Sequence, residues 1–155
     1  MQGHPDVIAK LNQLLAGELT AIDQYFLHAR LCREWGLQQL DQHFTHEMAE
    51  EQGHADLLIQ RILFLGGMPA LDQRQPLKAG RNVPEMFGND LGLEYRVIGE
   101  LKEAILLCES VQDYQTRDLL LQLLRDTEED HTRWLETQIA LIGKIGLENY
   151  LQSKL

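Results

Sequence analysis

Two Glu-x-x-His pairs stand out in the chain, Glu51 with His54 and Glu128 with His131. On an α-helix, positions three apart share a face, so each pair presents a carboxylate and an imidazole side by side. One such pair means little in a glutamate-rich chain. These two each interrupt an apolar stripe. Leu40, Phe44, Leu58 and Ile62 recur at helical spacing through Glu47, Glu51 and His54, and Leu121, Leu124, Leu135 and Ile142 recur through Glu128 and His131. Two more glutamates sit on stripes of their own, Glu18 between Leu15 and Ile22, and Glu94 between Leu91 and Ile98. The spacing therefore predicts four carboxylates (Glu18, Glu51, Glu94, Glu128) and two imidazoles (His54, His131) directed inward. Buried together without a counter-charge, the carboxylates would repel one another and take up protons. Two divalent cations cancel that charge, and mixed oxygen and imidazole ligation suits iron or manganese. One Glu from each of two helices plus Glu-x-x-His from each of two others is the ligand set of di-iron helical bundles.

Helices are needed to carry these stripes, and the sequence supplies them almost throughout. Pro5 is placed to open a first helix reaching about Glu34, with a break at Gly36. A second apolar run continues to Leu65. Residues 66 to 81, "GGMPALDQRQPLKAGR", show no periodicity and read as a long loop. Asn82 with Glu85 three residues on, and Pro84 between them, reads as the start of a third helix. A short break from Val111 to Asp113 leads to a fourth helix. After Gly143 and Gly146, "LENYLQSKL" is expected to form a short fifth. Four helices of this length make a four-helix bundle. The short turns make the first helix antiparallel to the second, and the third antiparallel to the fourth. The 66–81 loop can stretch to roughly 50 Å, so it is expected to cross the bundle's length and set helix three parallel to helix two. The fold class is all-α, a single domain over residues 1–155.

Composition narrows the function. The chain has 155 residues, 44% hydrophobic, and a formal net charge of −10. That length supports one proper core, and the acidic balance argues against nucleic acid or an anionic membrane as partner. Cys32 and Cys108 lie in no motif, and no stretch has a signal-peptide or membrane-spanning layout, so a cytoplasmic location is expected. Tyr25 reads mainly as a core tyrosine, with a redox neighbour of the metal site as the alternative. His46 and Glu50 lie off the stripe, and His28 and His43 carry no pattern.

Nearly the whole chain resembles the bacterioferritins, the haem-associated branch of the ferritin family. The resemblance rests on "GELTAIDQYFLHARL", "RILFLGG", "DLGLE", "CESVQDYQTRDLL", "EEDHTRWLETQIALIGKIGLENYLQS" and the six-ligand pattern. It implies a 24-subunit shell that oxidises Fe(II) at an intrasubunit di-iron ferroxidase centre, with oxygen or peroxide as oxidant, and stores a ferric mineral. It implies bridging roles for Glu51 and Glu128, terminal roles for Glu18 and Glu94, and one iron capped by each of His54 and His131. His46 and Glu50 match the family's inner-surface iron site, where aspartate is the usual second residue. At the family's haem-ligating methionine this chain has Gln52, a hard amide donor in place of a thioether, so haem b is not expected from this chain alone. Three functions fit: a ferroxidase and iron-storage subunit, a di-iron oxidase of an organic substrate, and a structural shell subunit beside a haem-binding partner.

Overall fold

A computed structural model describes residues 1–155 and is all-helical apart from its turns and the 66–81 connection, with three long helices and a fourth that changes winding midway. Helix α1 spans Pro5–Glu34, α2 Gln38–Phe64 and α3 Val83–Ser110. The fourth rod comprises α4, Tyr114–Asp126, a π-helical segment, Thr127–Thr132, and α5, Arg133–Ile145. The short α6 spans Leu147–Gln152.

Local chemistry sets the ends. Pro5 occupies the first turn of α1, and the His4 side chain accepts a hydrogen bond from Asp6 N at 3.1 Å. The Asn82 side chain accepts from Glu85 N at 2.9 Å and starts α3, as its spacing predicts. Asp113 does the same for α4 through Thr116 N at 3.1 Å. At the first turn Gly36 takes φ 78°, and Leu37 N returns to Cys32 O at 2.9 Å. This closes α1 in a left-handed cap that a side chain would strain.

The topology follows from which residues meet. Gly3 N bonds Leu65 O at 2.8 Å, placing the start of α1 beside the end of α2. Gln24 pairs with Asp90 and Lys10 with Glu103, so α3 runs antiparallel to α1 and therefore parallel to α2. Residues 66–81 make this crossover by climbing along α1. Asn12 holds Ala70 N at 2.8 Å, Thr20 holds Gln75 N at 2.8 Å, Gln24 holds Lys78 N at 3.2 Å, and His28 holds Gly80 N at 2.9 Å. These four loop amides thus find acceptors along α1, and the long connection behaves as a strap. Gly80 is needed at its end, where a Cβ would fall 2.4 Å from Met86 N.

One continuous apolar core runs through the bundle, from Leu15, Leu58 and Leu101 to an aromatic cluster below the polar centre. In that cluster Phe44 lies 6.0 Å from Tyr25 and 6.1 Å from Phe87, and Phe87 lies 5.6 Å from Trp134. Helix α6 folds back over this end. Tyr150 is fully buried against Phe87, and its hydroxyl donates to Gln138 at 2.6 Å. The fifth helix is thus partly consumed within the chain, while Ile145 and Leu147 remain more than a third exposed.

The fourth rod differs from the uninterrupted helix its periodicity predicts. Between Asp126 and Arg133 the hydrogen bonds close five residues apart. The Thr127 hydroxyl bonds Leu123 O at 2.8 Å, competing for a carbonyl of the preceding turn.

Candidate metal centre

Midway along the bundle the apolar packing gives way to Glu18 from α1, Glu51 and His54 from α2, Glu94 from α3 and His131 from the π-helical segment. All five are buried, none more than 6% exposed. They form two groups that share one residue. Glu18, Glu51 and His54 converge on one point, and Glu51, Glu94 and His131 on another. Glu51 spans both: its Oε2 lies 3.6 Å from His54 Nδ1, and its Oε1 lies 2.7 Å from His131 Nδ1. One carboxylate thus faces two sites with its two oxygens. Glu18 Oε2 completes the first group at 3.6 Å from His54 Nδ1, and Glu94 Oε1 the second at 3.6 Å from His131 Nδ1. The two imidazoles lie nearly parallel, 5.7 Å apart.

Each imidazole is held from behind by its other nitrogen. His54 Nε2 meets Asp126 Oδ2 at 3.2 Å, and His131 Nε2 meets Glu50 Oε2 at 2.7 Å and Glu47 Oε2 at 3.0 Å. A carboxylate at Nε2 keeps the proton there and leaves Nδ1 free as a donor to metal, the arrangement of metal-ligating histidines. The atoms that face inward accordingly lack partners. Glu18 Oε2, His54 Nδ1 and His131 Nδ1 are buried without a hydrogen bond, the last in spite of its closeness to Glu51. Buried polar atoms are nearly always satisfied. Three such orphans, all of them carboxylate or imidazole, suit a divalent metal.

Electrostatics agree. Burial, helped by the charge of Glu51, pushes the Glu94 carboxyl up to about 7. Burial also opposes charge on Glu51, yet the adjoining imidazoles of His131 and His54 hold it below the usual carboxylate range. For both histidines burial favours the neutral ring, and the surrounding carboxylates outweigh it and raise the pKa. Protons therefore hold this cluster together where cations can replace them.

Glu128 is the one residue of the six that lies outside the cluster. It is exposed. In π winding, positions three apart no longer share a face, so with His131 turned inward Glu128 swings to the surface. Asp126, five residues before His131, approaches the centre instead. Nothing in α-helical periodicity singles out Asp126. Glu47 was legible, since it lies on the same stripe one turn before Glu51, and it is buried beside His131. Tyr25 sits in the core, as its spacing predicts, and reaches the edge of the centre. It is a buried core residue stacked with Phe44, and its hydroxyl donates a short hydrogen bond to Glu94.

His46 and Glu50 lie at the edge of an open basin of about 500 Å³ lined also by His43, Glu129, Asp130 and Trp134. His46 Nε2 meets Glu50 Oε1 at 2.8 Å, so Glu50 links exposed His46 to buried His131. Of the two histidines without a sequence pattern, His28 is buried against Asp90 at 3.0 Å, and His43 stacks on Trp134 at 3.4 Å.

The ferritin-like domain family matches residues 8–145 of the chain. This chain belongs to the ferritin-like family. A bacterial ferritin of Synechocystis is 57% identical over 155 residues, covering 100% of this chain and 99% of the relative. A bacterial ferritin of Pseudomonas aeruginosa is 51% identical over 155 residues and the full length of both chains. A bacterioferritin of Mycolicibacterium paratuberculosis is 43% identical over 150 residues, 97% of this chain and 94% of the relative. No helix of this ferritin-like chain is long and apolar enough to cross a membrane.

Proposed function

We propose that the chain is a ferroxidase and iron-storage subunit that takes Fe(II) as substrate into the paired sites around Glu51, oxidises it, and passes Fe(III) to a mineral held in a closed shell of 24 copies. The observation that carries this reading is Glu51, whose two oxygens face two separate groups of buried ligand atoms, three of them without a hydrogen bond. Two ferrous ions there would supply two electrons to dioxygen or peroxide. Glu18 with His54 holds one ion and Glu94 with His131 the other. Asp126, Glu47 and Glu50 keep the imidazoles oriented, and Tyr25 orients Glu94. Glu128 joins as second bridge when the π-helical segment tightens around bound metal, which returns it to the face of His131. His46 and Glu50 form the inner-surface iron site, a stopping place between centre and mineral.

Stopped-flow oxidation of Fe(II) by the purified protein tests this. A fast phase saturating at two iron per chain is expected. Glu94→Ala should slow it by about tenfold or more, with the helical fold intact. Glu128→Ala should do the same, although its side chain is exposed without metal. A normal fast phase in Glu94→Ala would overturn the centre, and a normal one in Glu128→Ala alone would show that the segment keeps its π winding.

Haem does not fit this chain alone. Gln52 is exposed on the outer face of α2, and its amide offers no soft donor. The same residue supports a second reading, in which this subunit shares mixed shells with a haem-binding one.

A further inference from the structure

Away from the metal centre, a cavity of about 150 Å³ opens between the crossover strap and α3. Gln24, Pro76, Lys78, Asn89 and Arg96 line it, with Gly88 and Gly92 on the α3 side. In a chain of net charge −10 this is an unusual place to find two cations together. Neither Lys78 nor Arg96 makes an ion pair, as is true of six other lysines and arginines of the chain, and the charge of Arg96 is felt by Glu100 one turn on along α3. Arg96 also carries its Nε out of solvent with no acceptor. A guanidinium with a buried N–H unsatisfied is costly, and an anion in the cavity would satisfy it.

The floor and wall shape the space. Gln24 is buried, its Oε1 accepting from Lys78 N and its Nε2 donating one hydrogen to Asp90, so it closes the cavity with its second amide hydrogen uncommitted. Gly88 and Gly92 lie one turn apart inside α3, and a Cβ on either would meet nothing within 4 Å. Each glycine costs a helix interior about 1 kcal/mol against alanine. Both stand where a methyl group would project without touching the rest of the fold, and both leave the cavity open. The remaining donors are the Lys78 ammonium, the Arg96 guanidinium and the Asn89 amide. The volume holds one small tetrahedral oxyanion and a few waters, and no nucleoside.

We propose that this cavity is a binding site for a small tetrahedral oxyanion of the inorganic phosphate type, held by Lys78 from the strap and by Arg96 and Asn89 from α3. Its occupant ties the strap to α3, where the strap is otherwise anchored chiefly to α1. The site is independent of the metal centre and does not rest on the function proposed above.

Calorimetric titration of the intact, iron-free protein with inorganic phosphate, at constant ionic strength in chloride, provides the test. Saturable binding at one phosphate per chain is expected, with slower amide exchange over residues 76–80. Lys78→Gln and Arg96→Gln should each weaken binding about tenfold or more, while Lys102→Gln, an exposed lysine elsewhere on α3, should leave it unchanged. Gly92→Ala should also weaken binding although it favours the helix, which separates a filled cavity from an unfolded chain. Adenosine monophosphate should bind more weakly than phosphate. Non-saturable binding, or binding equal in all variants, would mean an adventitious ion only and would overturn the site. Tighter binding of the nucleotide would overturn the assignment to a free oxyanion.

Discussion

At the scale of residues, the centre is a contest between protons and metal for the same atoms. Glu94 keeps its proton up to about pH 7 because burial and the charge of Glu51 both disfavour ionisation. A cation must displace that proton below pH 7 and need not above it, so affinity is lost as pH falls through this range. Each pH unit on the acidic side costs about tenfold, or 1.4 kcal/mol, for this one proton. His54 and His131, whose pKa values are raised, must also be stripped and steepen the dependence. Titration with Co(II), followed by its visible absorption, should show affinity falling at least tenfold from pH 7 to pH 6. The Tyr25 hydrogen bond to Glu94 lowers the carboxyl pKa, so Tyr25→Phe should move the pH midpoint of binding upward. An unchanged midpoint would mean that Tyr25 does not act through Glu94. Five of the six side chains predicted inward were legible because each falls on an apolar stripe. Glu128 fell on the same kind of stripe and was misplaced, since the stripe assumes 3.6 residues per turn and this segment has more.

At the scale of elements, the crossover was legible from length alone, and its attachment was not. A loop of residues 66–81 had to go somewhere, and only a bundle-length path uses it. What the sequence hid is that Asn12, Thr20, Gln24 and His28, spaced along one face of α1, each receive a strap amide. Such residues read as ordinary surface or core positions, because hydrogen bonding to a distant loop leaves no periodic mark. His28 is the most exposed to test. It bonds Gly80 N with one nitrogen and Asp90 with the other, all buried. His28→Ala would remove both bonds and leave Asp90 buried with only Gln24 as partner, a change worth about 3–5 kcal/mol where a buried charge is left uncompensated. The end of the strap should loosen first. Limited trypsin digestion should cut His28→Ala at Arg74, Lys78 or Arg81 well before the parent chain. Equal cutting rates would show that the strap is held without His28.

At the scale of the whole molecule, the sequence revealed what the chain buries better than what it shares with its neighbours. The outer face of α1 and α2 leaves Phe26, Leu63 and Phe64 about half exposed, and Gln52 stands on it. A shell subunit must cover such apolar area with copies of itself or of a relative. A haem held between two such faces would need a soft donor from each, so a single residue type would decide both. Gln52 supplies a hard oxygen. Met48 is half-buried one turn away, about 6 Å along the axis, and would place the iron at another level. Met86 is fully buried against Cys32, and Met68 lies on the strap. The chain alone should therefore form little bis-methionine haem, even at saturating haem, while Gln52→Met should gain one low-spin haem per two chains. The variant should keep the fast phase of iron oxidation, because Gln52 points away from the face that carries Glu51 and His54. Absorption spectra of haem-titrated homopolymer decide the matter. A stoichiometric low-spin spectrum from the unmodified chain would show that some other residue pair ligates the iron, and a silent Gln52→Met would show that the interface does not bring two such positions together.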